Sequence, residues 1–70
     1  MDKELQQYID RRDAFVTRAS RWPADRLHRQ FDALQAKLDA MPDEEYDGTR
    51  AVNMVMQQGV ISELLQAEPA

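Results

Sequence analysis

The side chains able to do acid–base chemistry are few in this chain. The single histidine, His28, has Asp25 three residues before it and Asp32 four after, spacings that set an imidazole beside either carboxylate on one helix. Such pairs are ordinary on helix surfaces, and a general base also needs a positioned substrate proton to take. Glu44 and Glu45 are adjacent carboxylates without the histidine or aspartate companions of a metal or glycosidase site, and Ser20 and Ser62 lack a nucleophile-elbow context. There is no cysteine, which excludes disulfides and thiolate zinc sites and points to a reducing compartment. With two glycines in the whole chain there is no phosphate-cradling loop either. Accordingly no residue is assigned a catalytic, cofactor-binding or metal-binding role, and catalysis is the least favoured class.

Residues suited to recognition are more numerous. Arg11, Arg12, Arg18, Arg21, Arg26 and Arg29 stand against Asp13 and Asp25, a local charge of +4 over residues 11–29. The next stretch, 30–47, carries Asp32, Asp39, Asp43, Glu44, Glu45 and Asp47 against Lys37, a local charge of −5. A basic corner and an acidic corner are expected from a total of only −4. Trp22 lies amid the arginines, and an aromatic with several guanidinium groups suits a negatively charged protein surface. The candidate partner-binding residues are therefore Arg11, Arg18, Arg21, Trp22, Arg26 and Arg29, with Asp43, Glu44 and Glu45 as a second, acidic region. The plainer alternatives are arginines that pair with neighbouring carboxylates or stay solvated, and a tryptophan that closes the end of a bundle.

Direct nucleic-acid binding fits poorly. It draws on neutralised phosphates and usually shows a basic domain, whereas this chain has a pI near 4.7. Arg26 and Arg29 could reach a groove, but Asp25, Asp32 and Asp39 recur at seven-residue intervals on the same segment. Mimicry of a phosphate backbone by Asp32, Asp39 and the Asp43 to Asp47 run suits the charge sign better, although acidic loops are commonly just solvated.

The elements that would position these groups are helices. Helix formers dominate and β-branched residues are few, so the chain reads as all-α, one domain over residues 1–70. Leu5, Tyr8, Phe15, Ala19 and Trp22, widened by Ile9 and Val16 and interrupted by Arg12, form one face of a helix over 3–21. Pro23 suits the first position of a second helix over 23–40, whose Leu27, Phe31, Leu34, Leu38 and Met41 give the cleanest stripe in the chain. Pro42 ends it, and the acidic stretch that follows is read as a connection with room for one helical turn, with Asp47 or Thr49 as a cap. Residues 66–70 are expected to fray.

The third helix, over 49–66, is apolar on two sides: Val52, Met56 and Val60 on one, Ala51, Met54, Ile61 and Leu65 on the other. It is thus either the centre of the fold or a shared element of an interface. A chain of 70 residues rarely gets more than about 3–5 kcal/mol from a single core, so self-association is the expected supplement. The expectation is a three-helix bundle that pairs as a symmetric homodimer through the third helix. The candidate dimer interface is Val52, Met56, Gly59, Val60, Ile61 and Leu64, with Gly59 read as a place where another helix crosses closely. Met54 and Met56, by contrast, read more simply as core filling.

No apolar run exceeds three residues, as in Met54-Val55-Met56, against about 20 for a bilayer span. The first seven residues are charged and lack an apolar signal-peptide core, so the expected location is the cytoplasm. The functional expectation is a non-enzymatic protein–protein interaction module, a small regulator or inhibitor acting as a dimer on a larger protein. The runner-up is a DNA-associated dimeric regulator.

Overall fold

The computed structural model describes residues 3–46 and 48–67. Asp47, one of the two expected caps and the end of the acidic run, and residues 68–70 lie outside the described residues. Four helices follow one another: α1 (Lys3–Ala19), α2 (Ala24–Ala40), the single turn α3 (Asp43–Tyr46) and α4 (Thr49–Ala67). The described residues include no strand, and the all-α reading holds.

Prolines mark the α1–α2 corner and the end of α2: at the corner the boundaries differ a little from the expectation, and the end of α2 at Ala40 is as expected. α1 ends at Ala19 and not at 21; Pro23 disfavours helical geometry at Trp22 and so bars the helix from continuing, but it does not by itself set the earlier end. Residues 20–22 tighten into a turn, with the Trp22 amide donating to the Ala19 carbonyl at 3.0 Å. Pro23 is not the first helical residue but the extended N-cap of α2 (φ −69°, ψ 162°). Its carbonyl accepts from the Arg26 and Leu27 amides, both at 3.1 Å, which starts the helix without a side-chain cap. At the other end Met41, held extended before Pro42, donates its amide to the Leu38 carbonyl. The acidic connection winds into α3, and Gly48 then accepts from the Val52 amide at the start of α4. α4 reaches Ala67, so Gln66 and Ala67 are helical and not frayed.

Both long outer helices pack chiefly on α4, with little direct approach between the α1 and α2 backbones. α4 is therefore the central element. Contacts of Glu4 and Tyr8 near Thr49 and Val52, and of Arg18 near Gln57, show α1 running alongside α4 in the same sense. Phe31 near Gln58 and Met41 near Arg50 show α2 running against it. The core is one cluster of ten buried residues: Phe15 and Ala19 from α1, Leu27, Leu34 and Leu38 from α2, and Ala51, Met54, Met56, Val60 and Ile61 from α4. Half of them come from α4, which is why that helix alone lacks a single apolar stripe: by phase Met56 and Val60 lie on the side of α1 and Met54 and Ile61 on the side of α2, with Ala51 beside the groove that Tyr8 and Tyr46 line. Both methionines are core filling.

The result is a plate, 38 × 32 × 15 Å between outermost Cα atoms, with a radius of gyration of 13.1 Å. A compact 70-residue chain would have about 11 Å.

Candidate functional site

Because α1, α4 and α2 lie side by side, the phase of each helix assigns every exposed residue to one of two broad faces or to an outer edge. The first face is basic. Arg11 and Arg18 flank a shallow recess of ≈ 550 Å³ between α1 and α4, floored by Phe15 and Met56 and closed by Asn53 and Gln57. Arg11 donates from Nε to the Asn53 Oδ1 at 3.1 Å, which fixes its stem against α4. Arg18 lies over the Phe15 ring, 5.9 Å from guanidinium carbon to ring centroid. Arg26, on the same side of α2 by phase, stacks on Trp22 at 4.3 Å. Trp22 in turn meets Phe15 edge-on, ring centroids 5.7 Å apart, so an aromatic pair carries two guanidinium groups at this corner.

Lys37 and Arg50 extend the same face toward the other end, where they share a groove with Met54 and Glu45. Sequence order hid both of them. Lys37 falls in the acidic half of the chain and Arg50 in the third helix, but their helical phase joins them to Arg11, Arg18 and Arg26. Arg21 is exposed in the α1–α2 turn, and Arg29 lies on the outer shoulder of α2, donating from Nε to the Asp25 carbonyl at 3.4 Å. These two belong to the rim.

None of the five arginines first singled out as basic-corner contacts, Arg11, Arg18, Arg21, Arg26 and Arg29, pairs with a carboxylate among the described residues. The ion pair found there is Arg12 to Glu63, 3.2 Å across α1 and α4 on the opposite face. Asp25, Asp32 and Asp39 are exposed and by phase fall on the outer side of α2, turned from Arg26 and Lys37. Asp43, Glu44 and Glu45 are exposed on α3, and only Glu45 reaches the border of the basic groove. His28 is exposed beside Asp25 and Asp32, and the Ser20 hydroxyl donates to the Thr17 carbonyl.

The second face is apolar. Val52, Val55 and Gly59 form an exposed row along α4, and beside it an open groove of ≈ 400 Å³ is lined by Tyr8, Arg12 and Tyr46. Leu5 and Ile9 lie on the same side of α1 by phase. The large exposed hydrophobic residues of the described chain are Leu5, Ile9, Tyr46, Val52 and Val55, and all five are on this face.

The expected dimer residues divide accordingly. Met56, Val60 and Ile61 are buried within the chain, Ile61 completely, and Leu64 is half-buried against the same core. A residue already enclosed by α1 and α2 is not free to meet a second copy. Val52 and Gly59 remain exposed, and a Cβ added at Gly59 would meet nothing within 4 Å, so no helix of the same chain crosses there. Val55, Tyr46, Leu5 and Ile9 went unnoticed as interface candidates. An α4 apolar on two sides does not by itself show which of its residues the outer helices cover.

Among the described residues no helix is long and apolar enough to cross a membrane. No protein-family model matches the chain, and comparison with curated proteins and with solved structures gave no significant similarity to either.

Proposed function

We propose that this protein is a non-enzymatic protein–protein interaction module, a small regulator or inhibitor that works as a symmetric homodimer and covers an acidic working surface of a larger protein. The observation that carries this reading is the basic face. Arg11, Arg18, Arg26, Lys37 and Arg50 share one side of the plate, and among the described residues none of them is paired with a carboxylate. The aromatic pair Phe15 and Trp22 gives this face an apolar floor, so an acidic partner bearing one projecting apolar side chain would satisfy both. Arginine suits this task because its guanidinium binds a carboxylate with two parallel bonds. The mechanism is steric: a rigid helical plate lies over the target and excludes other ligands. A cytoplasmic site of action belongs to the same proposal, supported by the absence of cysteine.

A DNA-associated dimeric regulator is the second reading. The basic face supports it in sign, but the acidic edge formed by Asp25, Asp32 and Asp39 would lie against phosphates if a duplex extended past α2.

The test is affinity purification of partners with the wild-type protein and with the Arg11→Glu, Arg18→Glu double variant. Both positions are exposed, so helicity should be unchanged while partners captured by the wild type are lost. Equal capture by the two proteins would reject the basic face. A mobility-shift assay at low salt decides the second reading: retention of duplex DNA that falls steeply with salt would replace the first.

A further inference from the structure

We propose that the apolar face of the plate is covered by a second copy of this chain, docked about a two-fold axis that passes beside Val55. This inference rests on the homodimer reading above and locates its contact surface, which keeps Val52 and Gly59 of the expected interface and replaces its buried residues with Val55 and Tyr46. Three observations identify the occupant as another copy.

The first is area. The chain exposes 5351 Å², where a compact monomer of 8.1 kDa exposes about 4,500 Å². The excess, roughly 850 Å² over the whole flat molecule, is of the order of the approximately 800 Å² per partner that a standard interface covers, so covering one broad side would leave about the surface of a compact monomer. A helical layer with apolar residues on an outer side is completed by a second layer, and stacking two plates on this face makes one.

The second is shape. Along α4, Val52 stands three residues before Val55 and Gly59 four after it. A two-fold axis at Val55 therefore sets Val55 against its own copy and Val52 against the second copy's Gly59, in both directions at once. Gly59 offers the flat surface that such an approach requires, with open space where a Cβ would stand. A two-fold interface must be complementary to itself, and a projecting valine matched to a recess one helical turn beyond the axis meets that condition.

The third is charge. Tyr46 of α3 borders the groove at the Val52 end of α4, the Arg12–Glu63 pair, 3.2 Å long, borders it beyond Gly59, and the same operation brings these two ends of the two copies toward each other. The tyrosine hydroxyl gains hydrogen-bond partners and its ring gains a guanidinium neighbour. No unpaired charge is brought into the contact by α4, because its exposed row is Val52, Val55, Gly59 and the already paired Glu63.

The experiment is sedimentation equilibrium on the full chain, with disulfide trapping as an independent measure. The wild type should sediment at about twice 8.1 kDa. Val55→Glu should shift it to the chain mass with unchanged helical circular dichroism, since Val55 is half exposed and outside the core. Gly59→Leu, which fills the recess, should weaken dimerisation at least tenfold while leaving the fold intact. Val55→Cys, in a chain with no other thiol, should form a disulfide-linked dimer under mild oxidation far faster than Gln57→Cys on the basic side. A dimeric wild type that Val55→Glu leaves dimeric, with no faster trapping at Val55→Cys, would overturn this face and leave the homodimer reading standing. A monomeric wild type at high micromolar concentration would overturn both, and if Val55→Glu then abolished capture of another protein, the face would belong to that protein.

Discussion

The two broad faces of the plate are built by the same three helices, yet one carries cations around an aromatic floor and the other carries an apolar row around a glycine, bordered by the Arg12–Glu63 ion pair. On α1 the divide falls between adjacent residues. Arg11 turns to Asn53 on one side, and Arg12 turns to Glu63 on the other. The difference teaches that local charge along the chain says little about charge in space, because a step of one residue moves a side chain by about 100° around a helix. It also separates two kinds of contact. The charged face suits a partner met from solution by electrostatic attraction, and the apolar face suits a contact that excludes water.

The comparison supposes that both faces are surface and that the residues between them hold the plate together, and several substitutions can break or sharpen it. The largest effect belongs to Ile61, which is fully buried where α4 meets α2. Ile61→Ala should cost about 3 kcal/mol, a large share of what a chain this small can supply, and a thermal melt followed by circular dichroism should show the protein largely unfolded. A modest effect there would mean that the core is assembled differently and that neither face is correctly drawn. Leu34→Ala, in the single seam of α2, should cost about 2–4 kcal/mol in the same measurement.

Gly59→Ala should stabilise the isolated chain by up to about 1 kcal/mol, because alanine is the better helix former and its methyl meets open space. That gain belongs to the monomer; at concentrations where the proposed dimer forms, the same methyl crowds the second copy's Val52, so a urea titration there should show destabilisation, and a net gain would leave Gly59 uncovered. The smallest effect is expected from Arg12→Ala. Its ion pair with Glu63 is exposed, 39% and 71% for the two side chains, and should contribute no more than about 0.5 kcal/mol. A larger loss in a urea titration would give Arg12 a packing role that its exposure does not indicate.

Much of the fold was legible in the sequence, and the reasons differ from element to element. α2 was the clearest, because Leu27, Leu34 and Leu38 face one neighbour and a single stripe follows. Proline marked the corners, although Pro23 proved to be the cap of α2 and not its first residue. α4 was legible as a central or shared element, but choosing between the two required knowing how much of it α1 and α2 would cover. Helical phase alone does not give that. Met56 and Val55 are neighbours with similar side-chain character, and only the position of α1 makes one core and the other surface. The basic site was legible at Arg11, Arg18, Trp22 and Arg26, which are close in sequence and meet around Phe15. It was hidden at Lys37 and Arg50, which reach the same face only through the tertiary arrangement.

The corner where α1 turns into α2 has a practical consequence. Trp22 is the sole indole of the chain, and it sits there between the edge of Phe15 and the guanidinium of Arg26. Its fluorescence therefore reads the closure of that corner alone, while ellipticity at 222 nm reads every helix together. If α1 peels from α4 before the rest melts, emission will shift to the red at nearly constant ellipticity, and if the plate opens all at once the two signals will superimpose. The molecule thus carries a built-in optical gauge of how its first helix is held.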